Sequence, residues 1–108
     1  MANISSESEI RNIELQSELN QAFFEIWYNI LFGEYQVARE SLRNFSLLSS
    51  EFLSYDSKAM INFYKLSGYL NLMEGNISQS ISFYEQIPTE LLEGDNYQLY
   101  FYALAIKA

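Results

Sequence analysis

The chain has 108 residues, a net charge of −8, and no histidine or cysteine. This length allows one domain with a single core. The missing residue types exclude thiol catalysis, disulfides, a histidine general base and thiolate or imidazole zinc sites, so we expect no metal and no cofactor. The acidity argues against a nucleic-acid partner, which needs a basic stripe, and against binding to an anionic membrane surface.

Composition and hydrophobic spacing predict an all-α fold. Hydrophobic residues make up 49% of the chain, with four Gly and one Pro. A disordered chain has a lower apolar fraction, and long helically spaced stretches with few breakers are typical of helices. Residues 1–5 are expected to form a flexible tail, and residues 6–108 a single helical domain.

About five helices are expected. In chain order they cover 6–32, 34–48, 57–74, 77–87 and 96–108, with a connection at 49–55 whose apolar side chains fold back, and one turn within 89–93. Ser6 and Glu9 fit a capping box at the first start. Gly33 ends the first helix, Asn76 caps the fourth, and Pro88 stops it.

One stretch of the chain occurs twice. Residues 27–35 (WYNILFGEY) and 69–77 (YLNLMEGNI) share an aromatic residue, Asn, two apolar residues and Gly in the same order, 42 residues apart. A repeat of helix pairs at such a spacing indicates a stacked array, and arrays of this kind usually bind other chains.

These segments resemble the tetratricopeptide repeat, a helix-turn-helix unit of about 34 residues. In the second copy the matching residues are Gly68, where the two helices of a unit touch, Gly75 at the turn, Ser80 in place of a common Ala, Tyr84 at an aromatic position, and Pro88. The first copy matches at Gly33, Tyr35, Ala38 and Leu42, with Ile26 where a small residue is usual. Ala103 follows Gly68 by 35 residues and indicates a third unit. A generic bundle of α-hairpins satisfies the same pattern.

The resemblance implies a concave groove lined by the first helix of each pair. The residues that it assigns to partner binding are Phe23, Trp27, Ile30, Asn62, Lys65, Tyr69, Leu72, Tyr97, Tyr100 and Leu104. The alternative is that Phe23 and Trp27 are core residues that pack against the long first helix.

The leading hypothesis is a cytoplasmic adaptor or regulator, not an enzyme, that binds a protein or peptide in this groove. One alternative is an acidic inhibitor that mimics nucleic acid on a basic partner, and another is a fragment of a peptide-sensing bacterial regulator. The fifth helix is apolar nearly all round, which predicts a homodimer or a partner complex through Tyr100, Phe101 and Leu104.

Overall fold

A computed structural model describes residues 3–49, 57–92 and 94–107, which form five α-helices and one short 3-10 helix. The helices are α1 (Asn3–Leu31), α2 (Tyr35–Ser49), α3 (Ser57–Met73), α4 (Ile77–Tyr84) and α5 (Asp95–Lys107), with the 3-10 helix at Thr89–Leu91 between α4 and α5. This part of the chain contains no strand. The prediction of an all-α fold with five helices is confirmed.

The first helix begins earlier than the sequence predicts. Because α1 starts at Asn3, residues 3–5 are helical, and Ser6 lies inside the helix instead of capping it. No breaker separates these residues from the periodic stretch, and extending a formed helix orders only one residue for each added hydrogen bond. Met1, Ala2 and the connection at 50–56 lie outside the described residues, so the flexible tail and the folding back of the connection stay predictions.

The fourth helix ends earlier than predicted. α4 stops at Tyr84, and the N–H groups of Gln86 and Ile87 each donate to the carbonyl three residues earlier at 3.1 Å. This tighter turn brings the chain out of helical geometry before Pro88, whose ring disfavours a helical residue ahead of it. Asn76 occupies the N-cap position, but its side chain makes no capping hydrogen bond.

The turns that join α1 to α2 and α3 to α4 have the same geometry. Gly33 and Gly75 have φ angles of 82° and 87°. The Gly33 N–H donates to the Ile30 carbonyl at 3.1 Å, the Glu34 N–H donates to the Asn29 carbonyl at 2.7 Å, and the Gly75 turn repeats these bonds at 3.1 and 2.8 Å. This is the Schellman motif, which glycine adopts without a Cβ clash. The sequence repeat is therefore also a repeat of backbone geometry.

The helices contact one another in a repeated order. α1 packs against α2, and α3 packs on both of them; α4 packs against α3, and α5 packs on both α3 and α4. The largest cluster of buried side chains joins α1, α2 and α3, and two smaller clusters join α3, α4 and α5. α3 therefore covers the first helix pair, and α5 covers the second.

The contact between α3 and α4 is close, and we call it the α3–α4 seam, formed by Gly68, Ser80 and Tyr84. A Cβ at Gly68 would lie 2.7 Å from the ring of Tyr84, so this ring fills the space that the missing side chain leaves. The Ser80 hydroxyl donates to the Gly68 carbonyl at 2.7 Å in a buried position. The prediction that Gly68 is a close-packing point between these helices is confirmed.

The first helix pair fills the same positions differently. The residues 42 positions before the seam are Ile26, Ala38 and Leu42, and all three are buried. Ile26 and Leu42 together have as many side-chain heavy atoms as Tyr84 alone. The two pairs therefore have the same turn. At these positions the buried volume comes from Ile26 and Leu42 in the first pair, and from the Tyr84 ring in the second.

Candidate functional site

A groove runs between α1, α3 and α5 and encloses about 460 Å³. Its lining consists of Trp27, Leu31, Tyr69, Asp95, Gln98, Leu99 and Tyr102, and we call this set the groove. α3 packs against both flanking helices, and this packing places its residue Tyr69 between the α1 and α5 walls. The groove therefore depends on how α1 and α5 are stacked on α3, which is a property of the whole fold.

Aromatic rings dominate this surface. The rings of Trp27 and Tyr69 lie 4.4 Å apart between centroids with an interplanar angle of 37°, and Phe23 stacks on Trp27 at 6.0 Å. Tyr69 is 6% exposed, Trp27 is half-buried and Tyr102 is 58% exposed. The three helices thus supply one ring each, graded from a buried floor to an open rim.

One charged residue, Asp95, is among the groove residues. It is the first residue of α5, where the helix dipole favours a carboxylate. Burial raises the pKa of Tyr69, and the neighbouring Tyr35 and Asp95 raise it further. The carboxylate thus lies close enough to affect the buried phenol. In the described part of the chain, Asp95 forms no ion pair.

On α1 and α3 the groove agrees in part with the sequence-based assignment. Trp27 and Tyr69 line it. Ile30 is 1% exposed and Leu72 5% exposed, so both belong to the hydrophobic core and do not line the groove. The remaining assigned residues here are Phe23, which stacks on Trp27, and Asn62 and Lys65, which are half-buried on the turns of α3 that precede Tyr69.

On α5 the structure differs from the assignment. Tyr97 and Tyr100 line a separate depression of about 340 Å³ beside Tyr84, and the Tyr100 hydroxyl donates to Glu85 Oε2 at 3.5 Å. Leu104 packs against the buried cluster that contains Leu72. The face of α5 that lines the groove is instead the one with Asp95, Gln98, Leu99 and Tyr102.

The difference comes from the register of α5. Matching Ala103 to Gly68 uses a spacing of 35 residues, but Gly68 contacts the helix that follows it, whereas Ala103 packs against Leu72 and Ile81 of the preceding pair. A spacing of 33 residues places Tyr102 at the position of Tyr69. The 33-residue spacing of Tyr69 and Tyr102 is present in the sequence, but the match of Ala103 to Gly68 favours a spacing of 35.

A second depression of about 490 Å³ lies on another side of α3, between α2 and α4. It contains Arg39, which forms an ion pair with Glu74, and Asn71, whose amide donates to the Ser67 carbonyl at 2.7 Å. The Ser67 hydroxyl is buried without a partner. Asn71, the asparagine of the second repeat copy, thus lies outside the groove.

The described residues contain no group of three or more acidic or metal-ligating side chains placed to hold a metal ion. None of the described helices is both long and apolar enough to cross a membrane. Comparisons with protein-family models, curated proteins and solved structures found no match.

Proposed function

We propose that the chain is a tetratricopeptide-like adaptor or regulator that binds a peptide or a segment of another protein in the groove. The observation that carries this proposal is the meeting of Trp27, Tyr69 and Tyr102, from three different helices, around one open space. Concave sites with aromatic anchors dominate the binding energy of many interfaces. Burying half-exposed rings under a partner adds apolar contact without rearranging the core.

Two features support the tetratricopeptide-like architecture. The first is the repeated Schellman turn at Gly33 and Gly75. The second is the repeated packing, in which α3 covers the first helix pair as α5 covers the second. A stack of this kind presents its odd-numbered helices along one surface, and the groove lies there.

The rival proposal of an acidic nucleic-acid mimic has a different chemical basis. It needs many carboxylates on the contact surface, whereas Asp95 is the one carboxylate among the described residues that line the groove. The net charge of −8 supports the rival only if the charges act together. Since exposed charges are screened by salt and apolar burial is not, the two mechanisms predict different salt dependence.

The test is a screen of the purified protein against an immobilised library of short random-sequence peptides. Trp27 is the single tryptophan, so its fluorescence reports occupancy of the groove directly. We expect selected peptides to shift the Trp27 emission and to keep most of their affinity between about 0.05 M and 0.5 M salt. The proposal fails if no peptide shifts the emission. Steep loss of affinity with salt would favour the acidic mimic.

We also propose that the outer face of α5 mediates homodimer formation. Tyr97 and Phe101 are about half exposed with ring centroids 4.7 Å apart, whereas Tyr100 and Leu104, the other predicted contacts, are half-buried. Sedimentation at micromolar concentration should show a dimer that Phe101→Ser dissociates and that Phe24→Ser, at an exposed site on α1, leaves intact. A monomer at every concentration contradicts this proposal.

A further inference from the structure

We propose that the groove seats a basic side chain, lysine or arginine, of the peptide partner between the Asp95 carboxylate and the rings of Trp27, Tyr69 and Tyr102. This inference rests on the proposed function and specifies the chemistry of its ligand. It combines two observations: the rings that line the groove, and the one unpaired charge placed among them.

The aromatic part of the site suits a cation. A lysine or arginine that lies over the face of Trp or Tyr is attracted by the ring quadrupole, and tryptophan gives the strongest attraction. Trp27 and Tyr69 pack on each other with centroids 4.4 Å apart and an interplanar angle of 37°. A basic side chain can therefore contact the half-buried Trp27 and the exposed ring of Tyr102, while the buried Tyr69 supports Trp27. Its methylene stem covers apolar surface while its charged head reaches a polar group.

Asp95 supplies that polar group. It lines the same groove as the rings, and its charge adds to the burial that raises the pKa of Tyr69. None of the lysines and arginines in the described part of the chain lines the groove. The groove therefore has a negative charge that the described residues leave without an ion-pair partner.

Two nearby groups limit the strength of the attraction. The N-terminal N–H groups of α5 already stabilise the negative charge of Asp95, which begins that helix. Lys65 lies one turn before Tyr69 on α3, and it neither lines the groove nor pairs with Asp95. We therefore expect the basic side chain to contribute a factor of about ten in affinity.

The charge also sets specificity. An acidic side chain at the same place would face the exposed Asp95 carboxylate, and like charges that meet across an interface are disfavoured. A neutral side chain of similar length would keep the contacts with the rings and lose the charge contact. The expected order of affinity is basic, then neutral, then acidic.

The experiment determines the amino-acid composition of those library peptides that bind the protein and also shift the Trp27 emission. We expect lysine or arginine to be enriched at one position. Replacing it by norleucine should lower the affinity about tenfold, and replacing it by glutamate should lower it further. This comparison uses the unaltered protein, so it does not depend on whether a variant folds.

A matched pair of variants locates the charge. Asp95→Asn should remove most of the preference for the basic peptide over its norleucine analogue. Glu40→Gln, which removes the same charge from an exposed site on α2, should leave the preference unchanged. Peptides that shift the Trp27 emission without basic enrichment, or a preference that survives Asp95→Asn, overturn this inference and leave the proposed function standing. If no peptide shifts the emission, both fail.

Discussion

The α3–α4 seam and the groove are both built around tyrosine rings on or beside α3, yet the rings have opposite surroundings. In the seam, Tyr84 is 0% exposed and occupies the space that Gly68 leaves open. In the groove, Trp27 and Tyr102 border a space that none of the described residues fills. An aromatic residue is thus a core residue when the opposite helix lacks a side chain, and a candidate contact when the opposite side is open.

This contrast predicts that changes in the two regions affect different properties. Changes in the seam alter packing density and therefore the free energy of unfolding. Changes in the groove remove aromatic surface that is partly exposed in the folded chain, and therefore alter the affinity for a partner.

Filling the seam from the glycine side should have the largest effect. Gly68→Leu is expected to lower the free energy of unfolding by about 3 kcal/mol, because even its Cβ lies 2.7 Å from the Tyr84 ring. Urea denaturation monitored by circular dichroism measures the loss. A stabilised variant, as expected when an exposed helical glycine is replaced, would mean that the seam is not close-packed.

A double variant tests whether the two helix pairs are interchangeable. Gly68→Ile with Tyr84→Leu recreates in the second pair the residues Ile26 and Leu42 of the first. We expect its loss of unfolding free energy to be smaller than the sum of the two single losses by more than about 1 kcal/mol, because each change compensates the volume of the other. Additive effects would show that the equivalence of the pairs ends at their turns.

The hydrogen bond across the seam should have an intermediate effect. Ser80→Ala removes the donor to the Gly68 carbonyl and is expected to cost about 1 kcal/mol. Ser78→Ala, at an exposed position on the same helix, is the control and should change the stability less. Equal effects would mean that the bond across the seam contributes little.

The smallest change concerns the hydroxyl of Tyr84, which is buried without a hydrogen-bond partner. Tyr84→Phe keeps the ring that fills the seam and should raise the free energy of unfolding by up to about 1 kcal/mol. Tyr28→Phe, at an exposed position on α1, is the control. Destabilisation by Tyr84→Phe would show that the hydroxyl has a partner in solution.

The same substitution predicts a change in alkaline stability. Burial, with a smaller effect of Tyr69, raises the pKa of Tyr84 above its ordinary value of 10.0. Since the folded state then holds this proton more tightly than the unfolded state, the protein loses stability as the pH rises above about 10. Thermal unfolding should show a shallower loss for Tyr84→Phe. Equal slopes would contradict the assigned burial.

The sequence predicted the parts of this structure that depend on local chemistry. Gly33 and Gly75 marked the turns because their conformation needs glycine, and Gly68 marked the seam because only a residue without Cβ fits there. Trp27 and Tyr69 followed from the same repeat. Each of these residues is required by a local turn or by contact with one neighbouring residue. Such requirements can be recognised in the sequence because the pattern recurs after 42 residues.

The position of α5 could not be obtained in the same way. A small residue indicates a close approach but does not say which neighbour approaches, and Ala103 packs on the preceding pair. A match through Ala103 therefore assigns Tyr97, Tyr100 and Leu104 to the groove. The residues of α5 that line the groove, among them Gln98 and Tyr102, lie on another face of the helix. The sequence does not assign Asp95 to the groove, because its effect on Tyr69 exists only after α5 is stacked on α3.

The measurement that tests the groove most directly compares Trp27→Ala with Tyr28→Ala. These adjacent aromatic residues lie on different faces of α1, and Tyr28 stacks on Phe32 outside the groove. Calorimetry with a peptide from the screen gives the affinity per folded molecule, and urea denaturation gives the stability of each variant. We predict that Trp27→Ala lowers the affinity about thirtyfold, as loss of an anchor residue does, while Tyr28→Ala changes it less than about threefold. An unchanged affinity per folded molecule in Trp27→Ala, with a loss of stability alone, would make Trp27 a core residue and contradict the proposed binding site.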